Sequence, residues 1–429
     1  MKILLVNTNF NSNDLNNRLG LGVVPIGLTY VSYPLKKLGH DVDFFDVATS
    51  KNPEEEFDSI LNNYHPDIVG YSIRNVDNQS MIDFYSPLPR TKKLIKKTLN
   101  KNIITVLGGS GYSMFPEQIL KKMNADYGIS GQGEKSFSEL VETISNKTKK
   151  LANIAGLCYR KNNKTILNIP DNSGYKRVKS ELNLFNYSNY NMEHSGAIII
   201  KTGCPYNCTF CDTPSSTNKF LPRDHEEIIE EIKLFKKTQN INSFYFIDNC
   251  FCSPIDYAKE LLYKIIKADI NIKLFCQISS RKNCFDDELF ELYKKAGGTS
   301  TFIGADNFSK KMLKNYNNGF TLDNIYKCSK LAEKHKVIFD YCWLIGGPGE
   351  DLDTIKESIN FLKTVKYRNL LTHFGIRITP GNPLRKIAIK EGFITENTDL
   401  LHPAFYFSKL IPVENAIKYI KSKVEITAC

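Results

Sequence analysis

The sequence predicts an α/β protein in which two parallel-sheet domains follow one another. Short apolar runs alternate with amphipathic helical stretches along most of its 429 residues, a pattern typical of parallel strands connected by covering helices. The alternation stops in a polar, aromatic-rich stretch at 170–195 and then resumes with a longer period. Two sets of strands separated by a linker therefore indicate two domains, and the chain is long enough to bury two cores.

Composition argues against several functional classes. The formal net charge is +11, but lysines are interspersed with acidic residues along the helices, so we expect solvated helix faces and no nucleic-acid surface. No run approaches the ~20 apolar residues of a membrane span, and the first residues do not resemble a signal peptide. The 11 cysteines form no paired framework, which favours a reducing compartment, the cytoplasm.

The first domain is predicted at 1–148 as a doubly wound, Rossmann-like sheet. Such sheets bind ligands beyond the carboxyl ends of their strands, so the loops there form the candidate site. Those loops are Thr8–Val24, Ser72–Asn78, Gly108–Gly111 and Gly131–Glu134. The predicted strands lie at 2–7, 41–47, 67–73, 103–107 and 126–130, and the helices at 27–38, 53–64, 86–99, 115–123 and 135–146.

A connector and a second strand–helix series follow. The segment 149–195 is predicted to hold a β-hairpin at 154–169 and then the linker. The second domain, 196–385, contains six strand–helix units, and 386–429 forms a helical tail. The six strands are predicted at 197–201, 243–247, 273–278, 299–304, 337–345 and 371–378.

Three cysteines, Cys204, Cys208 and Cys211, lie on the loop after the first strand of the second domain. Thiolates suit zinc or iron–sulfur clusters. Zinc normally needs a fourth cysteine or histidine at ligand spacing, and none lies close by in the sequence. Three ligands on one loop therefore predict a [4Fe-4S] cluster with one iron left for another ligand.

The spacing Cys-x-x-x-Cys-x-x-Cys, with Phe210 before the last cysteine, resembles the motif of the radical S-adenosylmethionine (SAM) superfamily. The resemblance implies a partial (β/α)6 barrel whose open iron binds SAM and cleaves it to a 5′-deoxyadenosyl radical. Asp306 stands where related enzymes have glutamate, and its shorter side chain reaches less far. The SAM-binding residues that the resemblance implies are Phe210, Asp248, Arg281, Gly304, Asp306, Gly346 and Gly347.

The first domain resembles the cobalamin-binding domain that precedes many radical SAM domains. The similarity rests on Pro25-Ile26-Gly27-Leu28, Gly39-His40-Asp41-Val42, Gly108-Gly109 and Gly131-Gln132-Gly133-Glu134, in that order. Glycines would let the backbone approach a bulky cofactor tail. The candidate cobalamin-binding residues are Pro25, Gly27, Ser72, Arg74, Asn75, Gly108, Gly109, Ser110, Gly131, Gly133 and Glu134, although Arg74 could equally pair with Asp77.

The histidines of the first domain lack the context of a cobalt ligand. An Asp-x-His-x-x-Gly motif, which supplies histidine to cobalt in methionine-synthase-like domains, is absent from the sequence. His40 is interpreted as a residue at the start of a strand, and His65 has no such context either. We therefore expect no histidine ligand on the lower face of cobalt.

Cys250 and Cys252 flank Phe251 after the second strand of the second domain and allow three interpretations. Packing or a local polar role is favoured. A second cluster would need more thiols, and Cys276 and Cys284 are expected to be distant. A thiol that donates hydrogen or accepts a methyl group is the third interpretation.

The resemblance as a whole implies a cobalamin-dependent radical SAM methyltransferase acting on an unactivated carbon of a natural product or peptide. Its cofactors would be a [4Fe-4S] cluster, SAM and cobalamin, and its electron donor a flavodoxin or ferredoxin. Rearrangement, ring contraction or cyclisation without methyl transfer is one alternative. A catalytically idle cobalamin sensor is another, although the complete three-cysteine loop argues against it.

Replacing Cys204, Cys208 and Cys211 together with Ala should abolish iron–sulfur absorbance and SAM cleavage, because the cluster loses all its thiolates. Cobalamin should still bind to the first domain. Cys158, interpreted as a small core residue, offers a control: Cys158→Ala should keep the cluster. Cleavage of SAM by the triple variant would contradict the cluster assignment.

Overall fold

The computed structural model describes residues 1–10, 24–146, 150–171, 179–190, 196–212 and 219–428. The chain forms two compact units, one made of 1–78 and 85–192 and the other of 79–84 and 193–429. Most of the predicted loop Thr8–Val24 lies outside the described residues. The four-part division at 148, 195 and 385 stays a prediction.

The first unit contains a seven-stranded sheet with the order β2-β1-β3-β4-β5-β6-β7. Strands β1 to β5 are parallel, and β6 and β7 add an antiparallel hairpin to β5. The strands are β1 Lys2–Asn7, β2 Asp41–Asp46, β3 Ile68–Ser72, β4 Ile104–Gly108, β5 Tyr127–Ile129, β6 Leu157–Lys161 and β7 Lys164–Leu167; the helices are α1 Ile26–Lys37, α2 Pro53–Tyr64, α3 Leu88–Leu99, α4 Ser110–Met114, α5 Pro116–Met123 and α6 Gly133–Asn146. The predicted doubly wound sheet is confirmed.

Helices cover the sheet of the first unit because its central strands, β1 and β3, are buried on both faces. In β1, five of the six residues are buried. The side chains of Leu5 on β1 and Phe137 on α6 both lie close to Gly70 on β3. A Cβ added at Gly70 would be 3.1 Å from each of them. This close contact holds α6 against the central strands.

The hairpin and residues 179–190 belong to the core of the first unit. Leu157, Tyr159 and Leu184 are buried in the same apolar cluster as the central strands. The hydroxyl of Tyr190 donates a 2.6 Å hydrogen bond to Asp46 at the end of β2. Burial raises the pKa of Asp46, and the bond from Tyr190 opposes that shift.

The second unit contains a seven-stranded parallel sheet with the order β18-β15-β14-β13-β12-β11-β8. Its strands are β8 Gly196–Ile198, β9 Lys201–Thr202, β10 Leu221–Pro222, β11 Ser243–Phe246, β12 Lys273–Ser279, β13 Gly298–Asp306, β14 Ile338–Ile345, β15 Leu370–Phe374, β16 Ile376–Arg377, β17 Phe405–Tyr406 and β18 Thr427–Ala428. Its helices are α7 His225–Gln239, α8 Ile255–Lys267, α9 Asp287–Lys295, α10 Lys310–Asn315, α11 Leu322–Lys334, α12 Leu352–Leu362, α13 Leu384–Lys390 and α14 Val413–Lys421.

All six predicted strands of the second unit are present, and β8 and β18 occupy the two edges. The first predicted strand, 197–201, is divided into β8 and β9, and β9 pairs antiparallel with β10. The predicted helical tail is present as α13 and α14, but it also supplies β17 and the edge strand β18. The short helices α4 and α10 were not predicted, because five or six residues carry little periodic signal.

Side-chain caps fix where several helices of the second unit begin. Asp224 accepts hydrogen bonds from the first backbone N–H groups of α7, and Asp286 does so for α9. Thr321 and Asp351 form capping boxes on α11 and α12. These caps satisfy donors that have no partner within the helix. Among the helices of the described residues, none combines the length and apolar character needed to cross a bilayer.

A fragment test follows from the buried hairpin. Residues 1–192 should unfold cooperatively, whereas 1–148 should be less stable by several kcal/mol, since it loses the buried Leu157, Tyr159 and Leu184 at ~1.5–3 kcal/mol each. Denaturant unfolding followed by circular dichroism measures the difference. A fragment 1–171, which keeps the hairpin, should be intermediate. Equal stability of 1–148 and 1–192 would instead support a boundary at 148.

Candidate functional site

The three-cysteine loop extends beyond β9 at the carboxyl edge of the sheet in the second unit. Cys204 is buried, and Cys208 and Cys211 are half-buried. The backbone N–H of Cys211 donates a 3.1 Å hydrogen bond to the carbonyl of Cys208, so the loop turns between them. None of these three thiols is in a disulfide.

Thr209 anchors this loop to neighbouring elements. Its backbone N–H donates to the carbonyl of Tyr316 at 2.9 Å, and its hydroxyl donates to the carbonyl of Asn315 at 2.8 Å. Its own carbonyl accepts a 2.8 Å hydrogen bond from the N–H of Leu384, at the start of α13. Three bonds to two separate segments fix the backbone between Cys208 and Cys211, which pre-organises the thiols.

Phe210, predicted to contact SAM, packs within the protein. Its ring meets that of Tyr316 edge to face, with centroids 5.4 Å apart. Its carbonyl accepts a 3.5 Å hydrogen bond from Asn382. The structure therefore gives the aromatic residue of the motif a supporting contact with the segment after α10, and the SAM contact stays a prediction.

Arg281, which follows β12, lies against the cysteine loop. Its Nη2 atom is 3.4 Å from Cys208 Sγ, and its guanidinium lies 3.7 Å from the ring centroid of Tyr206. A Cβ at Gly319 would be 2.3 Å from Arg281 Nη1, so a side chain there would displace the guanidinium. Sequence analysis missed Gly319, because only the folded chain brings it near Arg281.

Burial and nearby charges have opposite effects on the pKa of Cys208. The pKa of Cys208 is raised to about 12: burial is the largest cause, Asp306 adds to the rise, and Arg281 opposes both. Burial likewise raises the pKa of Cys204. A cluster needs thiolates, so Arg281 is the residue whose charge favours the ligand form of Cys208.

Asp306 is half-buried and lies near Cys208 and Arg281, although it was expected to reach less far than glutamate. Burial raises its pKa to about 6, while Arg281 and a 2.7 Å hydrogen bond from Asn318 oppose the shift. Asp306 adopts the left-handed backbone conformation with φ +58°, which is uncommon for residues other than glycine, asparagine, aspartate and histidine. The fold thus turns the chain sharply at the end of β13.

The carboxylate of Asp248 bonds to the protein backbone instead of pointing into an open loop. It accepts hydrogen bonds from the N–H groups of Ile200 at 3.1 Å and Lys201 at 2.8 Å. These bonds tie the end of β11 to the turn between β8 and β9. These bonds give Asp248 a structural role, and its contact with SAM stays a prediction.

Gly304, near the end of β13, and the two glycines after β14 have different surroundings. A Cβ at Gly304 would make only ordinary contacts, the nearest at 3.6 Å. A Cβ at Gly346 would lie 2.3 Å from Phe407, and one at Gly347 would lie 2.2 Å from Tyr316. Packing against these two rings explains Gly346 and Gly347 without a ligand.

A buried network that sequence analysis missed holds the ends of β13 and β14 together. Glu350 accepts a 3.0 Å hydrogen bond from the side-chain amide of Asn307 and another from the N–H of Gly346. The same amide also donates to the carbonyl of Leu344 at 3.0 Å. Ser408, from the tail, donates to the carbonyl of Glu350 at 2.6 Å. Burial raises the pKa of Glu350 to about 7, and the bonds from Asn307 and Gly346 to its carboxyl oppose the shift.

The predicted cobalamin residues of the first unit gather at the carboxyl edge of its sheet. Gly109 requires glycine, because its φ is +100° and a Cβ would lie 2.6 Å from the carbonyl of Ile73. Ser110 donates a 2.8 Å hydrogen bond to the carbonyl of Arg74, and Asn75 donates to Asn9 at 3.2 Å. The loops after β3 and β4 are therefore directly joined.

The remaining candidates lie on the same edge with weaker local constraints. Gly131 has φ +90°, and its N–H donates to Ser113 at 2.9 Å. Pro25 and Gly27 are at the start of α1, and a Cβ at Gly27 would meet nothing within 4 Å. The others are Ser72 and Gly108 at the ends of β3 and β4, and Gly133 and the buried Glu134 at the start of α6. A glycine-lined edge is compatible with a bulky ligand such as cobalamin, and the individual contacts stay predictions.

Both histidines of the first unit lie at the opposite edge of its sheet. His40 precedes β2, and its Nε2 is 3.0 Å from Glu142. His65 ends α2 and precedes β3. Because the amino ends of these strands face away from the carboxyl-edge loops, neither histidine belongs to the candidate corrin site, and the expectation of a cobalt without protein histidine is retained.

One expectation about the other cysteines was wrong. Cys284 was expected to be distant from Cys250 and Cys252, yet the three sulfur atoms all lie within 4.8 Å of one another. The reason is topological: β11 and β12 are parallel neighbours, so the loops after them meet at one edge. Cys276, within β12, is not part of this group.

The two parts of the chain match two domain families. Residues 13–141 match the B12 binding domain, and residues 198–362 match the radical SAM superfamily. An uncharacterized methyltransferase of Pyrococcus horikoshii is 27% identical over 85% of this chain and 78% of its own. An anaerobic magnesium-protoporphyrin IX monomethyl ester cyclase of Rubrivivax gelatinosus is 22% identical over 83% of this chain and 65% of its own.

The fold is shared with a solved radical SAM methyltransferase. The structure of TsrM from Kitasatospora setae, with tryptophan substrate and a SAM analogue bound, aligns with a TM-score of 0.85. The alignment covers 99% of this chain and 89% of TsrM at 20% identity. The likeness extends over both units and the tail.

The buried carboxyl of Glu350 should make stability depend on pH. In the folded protein it keeps its proton up to about pH 7, whereas the unfolded chain releases it near pH ~4.5. Stability should therefore fall as pH rises through this window, by on the order of 3 kcal/mol. Glu350→Gln cannot ionise and should lack this contribution, as denaturant unfolding at a series of pH values would measure.

A control separates the ionisation of Glu350 from its hydrogen bonds. Ser408→Ala removes the bond to the carbonyl of Glu350 and should cost about 1 kcal/mol at every pH, leaving the slope unchanged. Parallel stability curves for the native protein and Glu350→Gln would contradict a raised pKa.

Proposed function

Because the chain joins a B12 binding domain to a radical SAM domain and thus belongs to the cobalamin-binding radical SAM enzymes, we propose that it methylates an unactivated carbon of a small molecule. The single observation that carries the proposal is the three-cysteine loop in the same chain as the glycine-lined edge of the first sheet. Methyltransferases stand among its relatives, including that of Pyrococcus horikoshii, and its fold matches TsrM.

The donor set suits the cluster. Cys204, Cys208 and Cys211 would hold it, and three thiolates leave one iron for SAM. Bound together, the cluster, SAM and cobalamin would supply a 5′-deoxyadenosyl radical and a transferable methyl group. Arg281 favours the thiolate form of Cys208, and Thr209 keeps the loop in place.

Other protein groups would position the cofactors. Asp306, with its pKa near 6, could accept a hydrogen bond from SAM once ionised. Gly109 and Ser110 would present backbone and hydroxyl groups to the corrin tail, since no larger side chain fits at Gly109. Holding reactive groups in register is the main contribution of a protein to cofactor chemistry.

The substrate class and the partners are part of the proposal. Tryptophan in the TsrM structure favours an aromatic small molecule or a peptide that carries one. An external electron donor such as ferredoxin or flavodoxin would reduce the cluster. Because a thiolate-held cluster needs a reducing compartment, the proposal places the enzyme in the cytoplasm.

Cyclisation without methyl transfer is the second candidate function. It is favoured by the similarity to the Rubrivivax gelatinosus cyclase, which spans 83% of this chain. Both reactions begin with the same radical, so they differ in whether the methyl group of SAM reaches the product.

Reconstituted enzyme, a strong reductant and SAM with a deuterated methyl group provide the test. Methyl transfer predicts that mass spectrometry finds the intact labelled methyl group first in bound cobalamin and then in an aromatic substrate such as tryptophan or a tryptophan-containing peptide. Cys208→Ser should lose 5′-deoxyadenosine formation, while Cys328→Ser, a buried cysteine on α11, should keep it. Formation of 5′-deoxyadenosine with no labelled cobalamin would favour cyclisation.

A further inference from the structure

A second group of thiols lies next to the cysteine loop of the second unit. Cys250, Cys252 and Cys284 are all buried, with exposures of 4%, 0% and 1%. Their sulfur atoms are all within 4.8 Å of one another, and those of Cys250 and Cys252 are 4.0 Å apart. We propose that these three cysteines bind one divalent, thiophilic metal ion of the zinc class, separate from the [4Fe-4S] cluster.

The sulfur spacing favours a single ion. Two thiolates on one tetrahedral zinc at ~2.3 Å are about 3.8 Å apart, close to the 4.0 Å between Cys250 and Cys252. Ligands of a cluster bind different irons and lie further apart. A disulfide needs sulfur atoms at ~2.05 Å, about half the distance observed.

Groups around the sulfurs act as donors to them. The backbone N–H of Ser279 donates to Cys252 Sγ at 3.2 Å. The hydroxyl oxygen of Tyr206 is 3.7 Å from Cys284 Sγ and 2.7 Å from the hydroxyl of Ser253. These hydroxyls lie within hydrogen-bonding reach of the thiol group, as outer-shell donors to metal-bound thiolates do. Purely apolar packing would not require these donors.

A buried positive charge favours the ligand form of the thiols. Lys201 is 3% exposed, and its Nζ donates a 2.7 Å hydrogen bond to the carbonyl of Phe251, between Cys250 and Cys252. Each thiol releases its proton as its sulfur–metal bond forms, so one divalent ion with three thiolates carries a net charge of −1. The ammonium of Lys201 offsets that charge, whereas a monovalent ion would leave −2.

The site would stabilise the neighbouring cysteine loop. Tyr206 lies on that loop, and its ring stacks under Arg281, which contacts Cys208. A metal ion bound by Cys284 would therefore hold Tyr206 and, through it, Arg281. The ion acts by positioning and takes no part in electron transfer.

The test uses the full chain with Cys204, Cys208 and Cys211 replaced by Ala, so that the first thiol group cannot bind metal. Reduced, metal-free protein is titrated anaerobically with Cd²⁺, which reports thiolate ligation by its charge-transfer absorbance, and metal content is measured after desalting. One Cd²⁺ per chain is expected, and Zn²⁺ should displace it. Adding Cys284→Ser should remove the bound equivalent, whereas adding Cys328→Ser, a buried cysteine outside the group, should retain it.

A milder variant guards against misfolding. Tyr206→Phe keeps all three thiols and should weaken Cd²⁺ binding about 10- to 100-fold, the usual effect of a lost outer-shell partner; circular dichroism checks the fold of each variant. Failure to bind one Cd²⁺ per chain would overturn the proposal. The proposal would also be overturned if Cys284→Ser and Cys328→Ser lost the same amount of bound Cd²⁺. A disulfide among the three cysteines in anaerobically purified protein would overturn it as well.

Discussion

Parallel strand pairing is the constraint on which the second unit depends. Because β8, β11, β12, β13 and β14 run in the same direction, the loops after them all emerge at one edge of the sheet. Cys208, Arg281 and Asp306 lie at or beyond the ends of different strands, yet they interact because the register of the strands aligns those ends. The positions of these three side chains therefore depend on backbone hydrogen bonds between the strands, to which the side chains themselves do not contribute.

The loops at this edge are held mainly by contacts within the protein. Thr209 ties the cysteine loop to the residues after α10 and to α13, and Glu350 ties the ends of β13 and β14 together. Gly346 and Gly347 are small because Phe407 and Tyr316 occupy the adjacent space. Rigid support of this kind positions the thiols and Arg281 for a cofactor, because residues that contact a ligand are held in place by the packing behind them.

Competition between burial and charge sets the electrostatics of the site. Burial raises the pKa of Cys208 and of Asp306, so by itself it would keep both groups protonated. Arg281 opposes both shifts because its charge is close to both groups. One guanidinium therefore favours thiolate and carboxylate together, and Gly319 provides the space that it needs.

The sequence was sufficient to predict most of the strands and helices in chain order, because hydrophobic periodicity is a local property. It was also sufficient to predict the cysteine loop and the glycine turn at Gly109. The spacing of the cysteines and the backbone conformation of a glycine turn are both local properties of the chain. Tertiary structure alone decided that Cys284 joins Cys250 and Cys252, and that the carboxylate of Asp248 bonds to the backbone of Ile200 and Lys201. These contacts join residues far apart in the chain, and only the register between neighbouring strands specifies which of them meet.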